Sequence, residues 1–471
     1  MSEGFEPIDV AVIGAGISGL ACAFWAKKKG RSVALFEASP DVGGSITTLR
    51  SAGYIADGGP QSFLVSEAFT QLVRDAQLEA LVLPSSPAAA TPYVYHRGRL
   101  RAAPRSPQTL LATPLLSPLA KLRLLGEPFV AKSTAEDESV ASFVARRAGR
   151  GVLDAMVAPF VSGIYAGDPE KLSVRSAFPM MAQFERDHGS IVRGGLHQRR
   201  AQNSAVAPRV DGAVETAPAA GAAPPSARRQ SVGFRGGNDL FPRALAARLG
   251  SDFTVNARVK AVWQRGQWME LLIEGSSAER VVAKTIVLAT PSRAAADLLE
   301  PLEPRAARAL RAIEHPTVVQ ISLAYPKAAI GVAQNGFGFL VSRREGLKIL
   351  GCVWNSAMFA DRCPPDEALV TAFLGGAMDP HVAQQSDEEL AKAAHRDLTK
   401  VMRINDAAPR VVAGFRWQEA IPQYDLGHAR RLQAVEEGLA RLPHVRLCGN
   451  YLRGLSVPDC IKLARDVAAT L

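Results

Sequence analysis

Gly14-Ala15-Gly16-Ile17-Ser18-Gly19 stands between a short apolar run, Ile8 to Ile13, and a stretch of helical character that continues through Lys29. The run reads as a buried parallel strand, and Val33 to Phe36 resume as a second, so residues 8–36 predict a βαβ unit. In such a unit the first glycine makes the tight turn, the second lets the backbone approach a pyrophosphate, and the third lets helix pack on strand. The helix N-terminus then offers unpaired N–H groups and the positive end of its dipole to the anion. Glu37 follows Gly14 by twenty-three positions, at the end of the second strand, where its carboxylate can accept from ribose hydroxyls and disfavours a 2′-phosphate. Asp41-Val42-Gly43-Gly44-Ser45 comes next, and paired glycines just after the ribose acid recur where FAD lies extended through its domain. The expected cofactor is FAD.

A chain of 471 residues exceeds one hydrophobic core and predicts two or three domains. Its Lys and Arg number 55 against 45 acids, a balance of +10 that suits an acidic substrate or an anionic membrane surface. No basic stretch is interleaved with aromatics, and no zinc-finger or helix-turn-helix pattern appears, so nucleic acid is not an expected partner. The five cysteines are scattered and free of any C-x-x-C pair, as in a reducing compartment. No signal peptide is visible and no apolar run approaches the ~18 residues of a membrane span. The expected location is cytoplasmic, peripheral on the membrane at most.

The fold class expected is α/β, or α+β overall, in three parts. A discontinuous Rossmann-like FAD-binding domain takes residues 1–85, 233–298 and 412–471, and a mixed-sheet substrate domain takes 299–411. A helical lobe takes 86–200, where Pro114, Pro118 and Pro128 allow only short helices. Residues 201–232 are rich in Ala, Pro, Ser and Gly, and predict a disordered loop.

Further blocks extend along the chain: Asp57-Gly58-Gly59-Pro60-Gln61-Ser62-Phe63, Gly163-Ile164-Tyr165-Ala166-Gly167-Asp168-Pro169, Gly336 to Val341, Ile421-Pro422-Gln423-Tyr424 with Gly427-His428, and Gly449-Asn450 running to Cys460-Ile461. Together they resemble the oxygen-dependent protoporphyrinogen oxidases of the amine-oxidase-like flavoprotein superfamily, over nearly the whole chain. The resemblance implies FAD contacts from Gly14 to Gly19, Glu37, Ala38 and Ser45, from Gly59, Pro60, Gln61 and Ser62 beside the flavin, and from Val259 at the adenine. It implies Asn450, Leu455, Ser456 and Val457 at the pyrimidine edge. There a turn entering the last helix would aim N–H groups at negative charge on reduced flavin. Trp417 is expected near the flavin or in the core.

For the substrate, the resemblance places Leu340, Val353 and Phe373 against a flat apolar tetrapyrrole, with Gly167 permitting close backbone approach. It implies hydride transfer from a methylene bridge of a porphyrinogen to the flavin, O₂ as the final acceptor, and three such cycles. One departure stands out. Many members carry an arginine before the tyrosine of a Tyr-Val/Ile-x block that anchors a propionate, and here Pro92 precedes Tyr93-Val94-Tyr95. Arg97 or Arg99 is the candidate replacement, since an arginine fork suits a carboxylate. No side chain stands out as an essential base; His428 reads as structural, and Asp168 as the cap of a helix entered at Pro169.

Coproporphyrinogen oxidases carry most of the same blocks and remain an alternative. Amine oxidases and carotenoid desaturases lack the Gly163 block, and non-catalytic carriers on this fold lose the flavin site. Residues 93–132 hold seven Arg or Lys against one acid, Glu127, with leucines between them, which suits a lobe resting on anionic lipid. A homodimer is left open.

Overall fold

The computed structural model describes residues 7–204, 231–276 and 279–471. β1 (Ile8–Ile13), α1 (Ile17–Lys28) and β2 (Val33–Phe36) form the expected βαβ unit. They lie in a sheet of seven strands, five of them parallel in the order Phe253–Thr254, β2, β1, Arg280–Leu288 and Val445–Leu447. An antiparallel hairpin, Arg258–Arg265 with Trp268–Glu274, joins the first half of the Arg280–Leu288 strand. A parallel sheet must be covered on both faces to bury its apolar strands. On one face α1 packs against the closing helix Val457–Ala469 through Leu20, Cys22, Cys460, Ile461 and Ala464, all buried. On the other lie Leu298, Leu299, Leu310 and Val435 from three helices. All five cysteines are unpaired and buried, and burial alone pushes the Cys22 thiol up to about 12. They serve as small core side chains.

A second seven-stranded sheet runs in the order Arg410–Trp417, Val318–Pro326, Glu367–Gly375, Ile349–Val353, Gly338–Val341, Pro92–His96, Arg99–Ala102. It is antiparallel except where Gly338–Val341 pairs parallel with Pro92–His96, so it is mixed as expected. Two boundaries differ from expectation. Residues 92–102, read as part of the helical lobe, form two strands at the edge of this sheet, because Tyr93-Val94-Tyr95 and the Arg97-Gly98 turn make a hairpin and Pro92 sits at its first position, where a missing N–H is tolerated. Residues 412–417, assigned to the nucleotide domain, instead continue the strand Arg410–Trp417, which pairs along Val318–Pro326. One face of the sheet is sealed by the helix Asp387–Met402 over Val319, Ile321, Val370 and Ala372. The other face looks toward the nucleotide domain and the helical lobe.

The lobe is built from short helices whose starts are written as Ser-Pro. Ser106 and Ser117 each cap a helix with Pro in its first turn (Pro107–Ala112 and Pro118–Leu125). A buried ion pair, Arg147 Nη1 to Glu127 Oε1 at 3.1 Å, pins two of these elements together. Residues 150–165 form a continuous helical run interrupted by two π segments, Leu153–Val157 and Val161–Tyr165. The last lobe helix, Ile191–Ser204, continues into the segment read as a loop; residues 205–230 lie outside the described residues, and Ser231 and Val232, read as the end of that loop, instead begin the strand Ser231–Phe234, which pairs with Phe63–Leu64 and Val82–Pro84. Among the described residues no helix is long and apolar enough to cross a membrane.

Candidate functional site

Three adjacent parallel strands end side by side, and the chain leaving each one contributes to a single crevice. β1 leads into Gly14, Arg280–Leu288 into Ala289-Thr290, and Val445–Leu447 into Cys448-Gly449-Asn450. Gly14 N–H donates to the Phe36 carbonyl (2.8 Å), Ala289 N–H to Ile13 (2.8 Å) and Cys448 N–H to Leu288 (3.0 Å), fixing the three exits together. Ligands of open α/β sheets bind at such carboxyl ends. Residues 435 positions apart therefore meet for a topological reason that no local motif carries.

The glycines have distinct duties. Gly14 has φ +101°, and a Cβ there would stand 2.8 Å from the Ala289 carbonyl oxygen. A Cβ on Gly19 would stand 1.9 Å from the Gly14 oxygen, so the helix packs on its own turn. A Cβ on Gly16 would meet nothing within 4 Å, which leaves open space at the first turn of α1, where no side chain caps the helix. Glu37 holds this turn: its carboxylate accepts from Ala15 N–H (2.7 Å), Ser39 N–H (2.9 Å) and Ser39 Oγ (2.8 Å). Ala38 beside it is exposed, and Val259 lies two residues beyond Ala257, whose N–H donates to the Glu37 carbonyl (2.8 Å).

From Gly16 a track of close contacts runs toward the second sheet. Gly16 pairs with Gly43, whose N–H donates to Ala15 (2.8 Å), and a Cβ on Gly44 would be 3.3 Å from the Gly16 Cα. Ser45 abuts Gly59, which has φ +73° and no room for a side chain. Pro60 and Ser62 are half-buried alongside, while Gln61 turns inward. An open helix start, a line of glycines in close contact and a carboxylate at its far end fit an extended dinucleotide.

The far wall is the open face of the second sheet. Leu340, Gly351, Phe373, Gln320 and Phe415 stand directly opposite one another across five strands, and Val353 belongs to the next row beside Thr371. Leu340, Val353 and Phe373 thus share one face. Gly351 opens space for Leu340, and Gly163, in the second π segment, lies so near that a Cβ on it would be 2.3 Å from a Leu340 methyl. Trp417 is on the same face, stacked with Phe415 at 6.5 Å and 8°, and its buried Nε1 has no partner among the described residues. Such an orphaned donor fits a polar ring edge.

Asn450, Leu455, Ser456 and Val457 are half-buried at the start of the closing helix. Ser456 and Asp459 cap each other's N–H groups (3.3 Å each), and Pro458 has none to offer. This leaves Val457 N–H as the first-turn donor directed outward. A groove of about 890 Å3 begins at Tyr165, Tyr424 and Leu455 and continues over the Val445–Leu447 strand. Leu340, Val353 and Phe373 do not line it.

Several expectations land elsewhere. Gly167 is buried against Gln423 Oε1 and Leu172, so its close approach is internal, and Gly163 is the glycine that faces Leu340. Arg97 (φ +53°) and Arg99 are exposed at the edge hairpin, where Arg97 N–H donates to Glu345 (2.6 Å), apart from the Phe373 wall. Asp168 accepts from Glu170 N–H (2.9 Å) in a turn, not a helix cap. His428 begins a helix, buried and stacked on Tyr424 at 4.4 Å. Two buried groups went unread in the sequence. Arg362 pairs with Asp57 (3.1 Å), and Gln320 bonds to Gly59; a lone glutamine inside the apolar run Val318–Pro326 was the available signal.

The family model described as flavin containing amine oxidoreductase matches residues 17–471, and the chain belongs to that family. It is an FAD-dependent oxidoreductase. Among its relatives, the chloroplastic protoporphyrinogen oxidase 1 of Spinacia oleracea is 34% identical over 98% of this chain and 84% of its own length. Coproporphyrinogen III oxidase of Bacillus subtilis (strain 168) is 30% identical over 98% and 97%. A crystal structure of a protein from Exiguobacterium sp. 255-15 shares the fold with a TM-score of 0.78 at 22% identity, covering 99% of each chain.

Proposed function

We propose that this enzyme oxidises a porphyrinogen, with protoporphyrinogen IX as substrate, O₂ as acceptor and three successive two-electron steps to the porphyrin. The observation that carries this reading is the wall formed by Leu340, Val353 and Phe373. Two aliphatic groups and one ring share a sheet face beside the Gly59–Ser62 loop, a surface suited to a flat apolar macrocycle, while the polar groups of the same face, Gln320, Thr371 and Ser322, are bonded within the protein. Bound FAD supplies the hydride-accepting chemistry. The residues of the chain orient the macrocycle and keep water out, and no base is assigned among them. The Val457 N–H and the dipole of the closing helix favour negative charge at the ring edge they face.

Coproporphyrinogen III is the second reading. It is favoured by the Bacillus subtilis relative; Pro92, which stands where an arginine would anchor a propionate, removes the contact that would help to choose between a substrate with two propionates and one with four. Arg97 and Arg99, both exposed, are distant candidates for that anchor. Anaerobic purification, followed by parallel assays with O₂ supplied on protoporphyrinogen IX and coproporphyrinogen III and read by porphyrin fluorescence, separates the two. We expect turnover of the first to exceed that of the second, and activity on neither overturns the reading.

We further propose that the helical lobe rests on an anionic membrane surface. Leu119, Leu122 and Leu125 form an outward stripe, 78%, 67% and 59% exposed, and Phe129 is 86% exposed. Glu127, the one acid of residues 93–132, is buried against Arg147 and leaves the exposed charge of that stretch basic.

A further inference from the structure

We propose that Gln320 is a positioning residue that fixes the spacing between the flavin-side loop and the substrate wall. The inference rests on reading Gly59–Ser62 as the loop beside the ring system. Gln320 is 4% exposed in the strand Val318–Pro326, directly opposite Phe373 on one side and Phe415 on the other. A buried amide is unfavourable unless both of its ends are satisfied. Here both ends engage one residue, on the peptide units either side of its Cα: Gly59 N–H donates to Oε1 (2.8 Å), and Nε2 donates to the Gly59 carbonyl (2.8 Å). Two antiparallel bonds fix orientation as well as distance.

Gly59 is also held from behind. Its backbone touches Ser45 closely, and its carbonyl accepts a second bond from Gln61 Nε2 (3.1 Å). Gln61 accepts from Asn355, and Asn355 accepts from the Thr371 hydroxyl (2.9 Å). Thr371 shares a strand with Phe373 and bonds Ser322 (3.0 Å) on the Gln320 strand. The polar groups thus form a closed circuit, Gln320 to Gly59, Gln61, Asn355, Thr371 and Ser322, carried by the same two strands that present Phe373. Moving the wall moves the loop. Hydride transfer is steeply sensitive to donor–acceptor placement, and a misplacement of about 1 Å lowers rates on the order of a hundredfold.

Two variants of the full-length holoprotein test this. Gln320→Met keeps length and packing but removes the amide, and Gln320→Asn keeps the amide but shortens its reach. Measurements are FAD affinity by titration of the apoprotein, the visible flavin spectrum, and kcat and KM for protoporphyrinogen IX. We expect both variants to retain FAD, to show a shifted flavin absorption band, and to lose roughly ten- to a hundredfold in kcat while KM changes far less. Should Gln320→Met not fold, Gln320→Asn decides on the same readouts. A wild-type spectrum and kcat in either folded variant overturn the proposal, as does a loss confined to thermal stability. If the wild type oxidises no porphyrinogen, the proposed function fails, and the flavin spectra of the variants still decide the role of Gln320.

Discussion

Gly163 sits where a methyl group would press on the end of Leu340, a flexible side chain that can turn away. Gly163→Ala should therefore fold, helped slightly by the higher helix propensity of alanine, about 0.5–1 kcal/mol. The displaced Leu340 would then intrude on the substrate wall. We expect unchanged FAD content and a KM for the porphyrinogen raised on the order of tenfold, the scale of one misplaced methyl in an apolar pocket. An unchanged KM would remove Leu340 from the site. The contrast with Gly167 shows the limit of reading single residues. Both glycines belong to one block, and only the fold reveals that one faces Leu340 and the other faces Gln423. Arg97 has the right chemistry for a carboxylate, but the hairpin turn that places it depended on a strand pairing the sequence did not suggest.

The segment Ile421–His428 joins all three parts of the molecule. Gln423 N–H donates to Glu314 (2.9 Å) and Gln423 Nε2 to Tyr165 (2.9 Å). Tyr424 Oη donates to the Asn450 carbonyl, and Gly427 N–H donates to Asp137 (3.1 Å). His428 closes this segment under Tyr424. Burial pulls its pKa from the ordinary 6.5 down to about 4, outweighing the Leu452 and Tyr451 backbone and the Asp137 charge, which favour the proton. An unfolded chain binds that proton near pH 6.5 and the folded one only near 4. The corresponding stability is present above pH 6.5 and lost as the pH falls through 4, up to about 3 kcal/mol. His428→Phe keeps the ring stacking and removes the titration. Its melting temperature should fall less than that of the wild type between pH 7.5 and 5; parallel declines would refute the assignment. At the scale of elements, the strands and helices of residues 8–36 and 445–469 were legible because glycine turns and apolar runs mark them locally. The π segments at 153–165 left no comparable trace: their wider turns adjust a helix already suggested by composition.

At the scale of the whole molecule, the entry of Pro92–Ala102 and Arg410–Trp417 into the second sheet was not readable from composition. Strand partners are chosen by tertiary pairing, and those two segments complete a sheet whose centre lies hundreds of residues away in one case. The exposed apolar groups show the same dependence on the assembled fold. Leu119, Leu122 and Leu125 share one helix, and Phe129, Phe160 and Met180 come from three other elements, yet all belong to the lobe, where Arg105, Arg123 and Lys132 are also exposed. Apolar side chains would enter the headgroup boundary while the cations stay with the phosphates, and neither contribution alone suffices for firm attachment. The charge contribution acts within a screening length of about 10 Å at 0.1 M salt. The protein should thus float with vesicles containing phosphatidylserine at low ionic strength and detach progressively as salt rises. Replacing Leu122 and Phe129 by Ser should abolish flotation at every salt concentration while leaving the FAD content intact, since neither residue lines the cofactor track. Failure of the wild-type protein to float at low salt, or equal flotation on neutral vesicles, would show that the lobe meets something other than an anionic membrane.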